Sequence, residues 1–357
     1  MARRIGIGFL LLLLVAVLIF LVGQRQIGER LYTRAVERNA GVDRVAEWPD
    51  GLHAYVCGSG SPMPDAQRAG PCIAVIAGQR AFIFDVGSGA IRKLQPLAFP
   101  MDRLDAAFLT HLHSDHFDSL GELMLQAWIA GQRDSPLPVY GPEGTDRVVA
   151  GFIEAYTIDR GFRIAHHGPE VARPGGFGAE ARIIDAAGTA PHTVYQSDGV
   201  TIRAIRVDHR PVEPALAFRV EYAGRALVIS GDTVRSEQLA QLARGADVLF
   251  HEALNPRMVG EIGTTLAERG NAAGAKIMAD IPDYHTSPED AARVAQKADV
   301  EALVLYHLVP PPPVSLIGPA FLGESGQHFD GRIELAKDGM LVSLSAREQS
   351  VLFDEML

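Results

Sequence analysis

The pattern of apolar and polar positions divides the chain into four stretches. The first, Ile5 to Val22, is an unbroken apolar run of eighteen residues that follows Arg3 and Arg4. Its length is near the lower limit for a membrane-spanning helix and long for a secretory signal core, and no A-x-A-like site comes after it. It predicts a signal anchor, an N-terminal membrane-spanning helix over residues 1–23, with a cleaved signal as the alternative. In the second stretch, Gln24 to Asn39 is charged and made mostly of good helix formers, which predicts a helical stalk. Gly41 to Asp50 reads as a linker, and residues 51–357 read as one catalytic body. In the third stretch, Leu52 to Cys57, Cys72 to Ala77 and Gln79 to Asp85 read as strands, and Ala106 to Leu109 as a buried strand end. Leu120, Leu123, Met124, Ala127 and Trp128 recur at helical spacing, as do Val148, Val149, Phe152, Ile153 and Tyr156. Residues 166–192 then read as a long irregular segment carrying His166 and His167.

The fourth stretch alternates again. Val200 to Val207 predicts a strand that delivers Asp208-His209. Ala215 to Tyr222 and Ala226 to Ser230 predict a hairpin through Ala223-Gly224, ending in Ser230-Gly231-Asp232-Thr233. A helix is expected from Ser236 to Arg244, then a strand from Asp247 to Phe250 that leads into His251-Glu252-Ala253. Residues 257–280 have helical sections. Ser287 is a good N-cap with Pro288 at the first helical position. Ala302 to Tyr306 predicts a strand that delivers His307, and Pro310 to Pro313 stops regular structure. Arg332 to Leu335 and Met340 to Leu344 predict a closing hairpin across Asp338-Gly339. Strands followed by mixed strands and helices, twice over, indicate an α/β body with no short repeats and no second domain.

Charge and cysteine content refine this picture. The 357 residues carry a net charge of −10, which suits a soluble enzyme body and gives no overall basic footprint for nucleic acid. Arg3 and Arg4 oppose Arg25, Arg30, Arg34 and Arg38 across the apolar run. The expectation adopted is export, with the catalytic body periplasmic or extracytoplasmic on the inner membrane. Cys57 and Cys72 flank a turn-rich stretch. Either they form a disulfide worth roughly 3 kcal/mol, as an exported protein allows, or they are two unpaired thiols.

The densest chemistry is Thr110-His111-Leu112-His113-Ser114-Asp115-His116, directly after the buried strand end. In extended chain His111 and His113 share a face, and a turn at Ser114 brings Asp115 and His116 to the same point. Imidazole and carboxylate are ligands that zinc accepts. Four such groups left without a partner would be costly to bury.

H-x-H-x-D-H resembles the signature of the metallo-β-lactamase superfamily, which implies a four-layer αββα sandwich and a dinuclear metal site. On that resemblance His111, His113 and His209 hold one zinc. Asp115, His116 and His307 hold the other, and Asp232 bridges. Manganese or iron would also fit the ligand types. Two metals roughly 3.5–4 Å apart can hold a hydroxide between them. Asp85, in a strand-D-x-G step, is expected to brace the metal loops. The run Ser230-Gly231-Asp232-Thr233, His251-Glu252-Ala253 and His285-Thr286-Ser287 resembles the ribonuclease Z and arylsulfatase-like branch. That branch implies that Glu252 orients His285, which protonates the leaving oxygen. Asp115, Glu252 and His285 are therefore the expected catalytic groups.

The expected activity is membrane-anchored hydrolysis of a small phosphodiester or sulfate ester. The alternative is a ribonuclease Z, a tRNA 3′-processing endonuclease. Ribonuclease Z commonly carries an arm inserted after the strand bearing the third metal histidine, and here Tyr222 runs directly through Ala223-Gly224 into Arg225. Its absence and the acidic balance disfavour nucleic acid as a partner. The expected partners are a small ester and the membrane, and a homodimer is compatible with the sequence. Residues 166–192 and 257–283 are expected to wall the pocket.

Overall fold

The computed structural model describes residues 2–95, 97–185 and 190–357. It divides into two compact units, Met1–Ala46 and Glu47–Leu357. The first is dominated by helix α1 (Ala2–Asn39), in which the apolar run and the charged stalk are continuous. Among the described residues no single helix is long and apolar enough to cross a membrane; a bent pair, Leu12–Leu18 with Phe20–Asn39, has the length and composition.

The body begins with β1 (Gly51–Gly58), β2 (Cys72–Ala77), β3 (Arg80–Phe84), β4 (Leu104–Phe108), β5 (Leu137–Gly141) and β6 (Ala179–Ile183). Helices α2 (Ala90–Lys93), α3 (Leu120–Ile129) and α4 (Thr145–His167) lie between them. The second half contributes β7 (His192–Ser197), β8 (Val200–His209), β9 (Val212–Tyr222), β10 (Arg225–Ile229), β11 (Val248–Leu254), β12 (Ala302–Val309) and β13 (Arg332–Leu335). Its helices are α5 (Glu237–Leu242), α6 (Pro256–Glu268), α7 (Ala272–Asp280), α8 (Pro288–Ala298) and α9 (Gly318–Leu322). The chain closes with β14 (Met340–Ser345) and β15 (Leu352–Glu355).

These strands form an eight-stranded sheet, β15-β14-β1-β2-β3-β4-β5-β6, and a seven-stranded sheet, β13-β12-β11-β10-β9-β8-β7. Strand alternation explains how they pack. Leu52, Ala54, Val56, Phe82, Phe84 and Phe108 of the first sheet meet Leu216, Phe218, Leu227, Phe250 and Val304 of the second in one apolar core. The opposite face of the second sheet is covered by α5, α8 and α9 through Leu239, Leu242, Ala291, Ala295 and Phe321. On the first sheet, α3 buries Leu120, Leu123, Met124, Ala127 and Trp128. This is the α/β four-layer sandwich that the sequence leads one to expect.

The structure departs from the sequence reading in three places. Arg332–Leu335 and Met340–Ser345 are not a hairpin: β13 runs parallel to β12 in one sheet, and β14 pairs with β1 in the other. The Asp338 carboxylate accepts from Ser59 N, Ser59 Oγ and Ala69 N, so the turn is tied to the β1–β2 loop. Residues 166–192 are not all irregular. α4 continues through His166 and His167 to a stop at Gly168, whose φ is 74°, and β6 and the start of β7 lie in the same range; residues 186–189 fall outside the described residues. β15 is a further strand. Of the two alternatives for Cys57 and Cys72, the structure has the disulfide, and both residues are fully buried.

Candidate metal centre

The strand ends of both sheets converge on one point. After β4, Leu109 N donates to Tyr140 O, and a 3-10 turn at Ser114–His116 reverses the chain. His111, His113, Asp115 and His116 thereby face inward together. β8 ends in His209. β10 is followed by Gly231, where φ is 59° and a Cβ would lie 2.6 Å from Leu216 O, so only glycine fits the turn that presents Asp232.

His307 arrives by a different route. β12 continues past it to Val309, and the pairing with β11 jumps from Glu252↔Tyr306 to Ala253↔Leu308. His307 is the extra residue of this bulge, with φ 47°. A bulge re-aims one side chain without ending the strand, and a non-glycine residue held at positive φ is a strained position of the kind found at functional sites.

The resulting contacts form two clusters. In one, His111 Nε2 lies 3.0 Å from His113 Nδ1, and His209 Nε2 lies 3.3 Å from the same atom. Asp232 Oδ2 is 3.9 Å from both His111 Nε2 and His209 Nε2. In the other, Asp115 Oδ2 is 3.5 Å from His116 Nε2 and 3.4 Å from His307 Nε2. Asp232 Oδ2 lies 3.4 and 3.3 Å from those two nitrogens and so belongs to both clusters. The ligand atoms of His111, His113, His209 and Asp232 lie within 4.8 Å of one another, as do those of Asp115, His116 and His307 and those of Asp232, His285 and His307.

The donor set fits a metal on three counts. Four ligands about 2.0–2.1 Å from a tetrahedral zinc stand about 3.3 Å from one another, close to most of the separations here. His116 Nε2 and Asp232 Oδ1 are fully buried and have no hydrogen-bond partner among the described residues. The other nitrogens of two histidines are already used. His116 Nδ1 donates to Asp85 Oδ2 at 2.8 Å, and His209 Nδ1 donates to Tyr284 O at 2.9 Å. Each bond leaves the lone pair on Nε2, facing its cluster.

Electrostatics point the same way. Burial, with neighbouring imidazoles, holds His111 well below its usual range and lowers His113 and His209, although Asp232 opposes this. These three rings are neutral, as ligands must be. At His116 burial opposes charging, but Asp232, Asp85 and Asp115 together hold the ring well above its usual range. The carboxylates around this ring favour positive charge at the cluster. Burial works against the Asp232 carboxylate, yet His307, His116 and His111 hold it well below the usual range.

Glu252 and His285 stand beside the shared aspartate. Glu252 is fully buried on β11, and its Oε1 accepts from Thr286 N at 2.8 Å. Its Oε2 faces His285 Nδ1 at 3.3 Å, and that nitrogen is 4.0 Å from Asp232 Oδ2. The pair is longer than a tight charge-assisted hydrogen bond, so the coupling is chiefly electrostatic. Burial penalises the charged ring, but Glu252, then Asp232, outweigh it and push His285 up to about 9. His113, Asp115 and His285 are the less buried members, which marks the side open to solvent.

His251, by contrast, points away and bonds Glu252 O through Nδ1. His166 and His167 are exposed at the end of α4 and join neither cluster. Asp85 does more than turn the chain: besides His116 it accepts from Thr110 N and Thr110 Oγ1. Thr110 and the Tyr284 carbonyl had no local sequence signal, because both act through bonds to residues distant in the chain. Tyr284, directly after the segment 257–283, places its carbonyl on His209, and Met278 and Ile281 of that segment pack against the cluster of Leu254, Val259 and Val309.

Residues 80–308 match the Beta-lactamase superfamily domain. A protein named Ribonuclease Z from Mycobacterium bovis BCG is 37% identical over 293 residues, covering 80% of this chain and 96% of the relative. Another of that name, from Mycolicibacterium paratuberculosis, is 38% identical over 300 residues, covering 83% and 99%. Aligned lengths so close to the matched spans leave no room for a long insertion in either relative. In fold, the body is similar to a metallo-beta-lactamase fold protein from Bacillus subtilis (TM-score 0.57, 19% identity, 83% of this chain and 100% of that one). It is also similar to the short form of human tRNase Z (TM-score 0.55, 21% identity, 82% and 98%). Motifs, sheet order and relatives agree: the chain belongs to the metallo-β-lactamase superfamily of metal-dependent hydrolases, in its ribonuclease Z branch.

Proposed function

We propose that this chain is a two-metal phosphodiesterase of the ribonuclease Z type, which cuts RNA to release a 3′-hydroxyl leaving group. The observation that carries the reading is the Glu252–His285 pair, buried beside the aspartate that both clusters share. His111, His113 and His209 would hold one metal and Asp115, His116 and His307 the other, with Asp232 between them. Imidazole and carboxylate ligands suit zinc, and manganese or iron fit the same ligand types. When bound, such a pair of ions supplies an activated water and charge stabilisation at phosphorus.

The chain's own residues account for the rest. Asp85 and the Tyr284 carbonyl fix the rings of His116 and His209, so both present their Nε2 atoms without reorganisation. Glu252 keeps His285 protonated, and that proton passes to the departing oxygen. A ribose alkoxide is a poor leaving group that needs such an acid. The short β9–β10 turn does not separate this chain from proteins named Ribonuclease Z, because the relatives above have no long insertion in the matched region either.

A second reading concerns place and substrate size, and the Cys57–Cys72 disulfide supports it. Disulfides persist in oxidising compartments. Together with the apolar run Ile5 to Val22, this favours an anchored body on the extracytoplasmic side. There the substrate would be a small phosphodiester or short RNA outside the cytoplasm.

The test is turnover of the purified, metal-loaded chain on precursor tRNA, bis-nitrophenyl phosphate and a nitrophenyl sulfate. Correct 3′ cleavage of precursor tRNA supports the first reading. Turnover of the small diester alone supports the second, and turnover of the sulfate alone refutes both. Protease accessibility of the body in intact spheroplasts checks the placement.

A further inference from the structure

We propose that Thr286 is a positioning residue for the proton donor: the bond from its hydroxyl to Thr233 O sets where His285 stands against Asp232 and Glu252. This rests on the phosphodiesterase reading and names what holds its acid in place. The His285 proton passes to the ribose 3′ oxygen as the bond from that oxygen to phosphorus breaks, so the ring must be held within reach of that oxygen. The chain on either side of His285 is anchored unequally. Before it come α6, whose buried residue is Val259, and α7, whose residues are all partly or fully exposed. After it, Ser287 Oγ accepts from Asp290 N at 3.1 Å and caps α8, which is buried through Ala291, Ala292 and Ala295.

Thr286 lies at this boundary and is fully buried. Its polar groups reach two neighbouring segments of the site. The N–H donates to Glu252 Oε1 at 2.8 Å and the carbonyl accepts from Leu254 N at 2.9 Å, both on β11. The hydroxyl donates to Thr233 O at 2.5 Å, in the turn that presents Asp232. Thr233 is itself held, with its Oγ1 donating to Val234 O at 2.8 Å and its N–H facing Glu252 Oε1 at 3.4 Å. One hydroxyl therefore links the residue after the donor to the residue after the shared aspartate. A side chain without it keeps both backbone bonds and loses this link. His285 Nδ1 stands 3.3 Å from Glu252 Oε2 and 4.0 Å from Asp232 Oδ2, and the link holds both separations. A misplacement of about 1 Å in a catalytic group can cost on the order of 10²-fold in rate.

The test uses the full-length, metal-loaded chain on a diribonucleoside phosphate, whose leaving group is a ribose alkoxide, and on bis-nitrophenyl phosphate, whose nitrophenolate leaves unaided. Thr286→Val replaces the hydroxyl by a methyl of nearly the same size. We expect kcat for the ribose ester to fall about tenfold or more with KM within about twofold, and a much smaller loss with the nitrophenyl ester. Thr286→Ser, which keeps the hydroxyl, should restore most of the ribose-ester rate. In a His285→Ala background Thr286→Val should slow neither ester further, because the donor that it places is gone. Should Thr286→Val not fold, Thr286→Ala against Thr286→Ser makes the same comparison with the methyl absent from both. Unchanged turnover, equal losses on the two esters, no recovery with Thr286→Ser, or a further loss in the His285→Ala background would overturn the proposal, since a bond that serves the fold alone affects every substrate alike. The acid reading fails separately. If His285→Ala itself slows both esters equally, or the unmodified chain turns over the nitrophenyl ester alone, there is no acid to place and both fall.

Discussion

Replacing Asp85 with asparagine should selectively weaken the metal site built on His116. Asp85 is buried, and its two oxygens receive three bonds, from Thr110 N, Thr110 Oγ1 and His116 Nδ1, each 2.8 Å long. Its φ of 55° is one that asparagine tolerates, so the backbone should stay in place. The amide has one oxygen where the carboxylate had two. If that oxygen stays on Thr110 N, the amide N–H faces His116 Nδ1, and the ring must carry its proton on Nε2, the atom aimed at the metal. If the amide flips, its N–H meets the Thr110 N–H and a buried donor is lost, at a cost of about 1–3 kcal/mol. Either outcome predicts a loss of about 10–100-fold in affinity at this site. Competitive chelator titration measures it, and the His111–His113–His209 site on the same chain serves as the internal reference. Second-site affinity within about threefold of the unmodified chain, ~0.7 kcal/mol, would refute the claim that Asp85 sets the His116 tautomer.

Three further outcomes follow from the same geometry. Asp232→Ala should reduce metal at both clusters together, read by elemental analysis per chain, because its Oδ2 is common to the two. His285→Ala should keep both metals yet slow diesters with alkyl leaving groups by about 10²–10⁴, while nitrophenolate, which leaves unaided, is slowed far less; equal losses would remove His285 from the acid role. In the metal-free chain His285 is raised from 6.5 to about 9, so its pairing stabilises the fold fully below pH 6.5 and is lost as pH climbs towards 9. His285→Gln should flatten that alkaline decline in Tm measured with chelator present, and an undiminished decline would assign it to other groups.

The converging side chains were legible because their chemistry is concentrated. Four of the seven side chains lie within six positions, and the other three each follow an apolar run that reads as a strand. How His307 is delivered was not legible. The strand reads as ending at Tyr306, whereas the chain keeps pairing to Val309 and ejects His307 as a bulge. The Asp338-Gly339 turn misleads for a related reason. Locally it has the signature of a tight hairpin, but the Asp338 side chain is captured by amides some 270–280 positions away, and the flanking strands go to different sheets. β7 was hidden because its positions are only partly buried and mostly polar, so no apolar alternation announces it. The alternative of two free thiols at Cys57 and Cys72 fails for a geometric reason: the β1–β2 pairing brings their Cα atoms to 5.0 Å. The short β9–β10 turn was visible, but its meaning was not, because a missing arm separates substrates only if every relative carries one.

The central claim is that two cations share Asp232 between two sets of three side chains. Anomalous diffraction from crystals of the metal-loaded protein tests it most directly. The account predicts two peaks, one among His111, His113 and His209 and one among Asp115, His116 and His307, with Asp232 between them. A single peak, or a second peak away from His116 and His307, would contradict it.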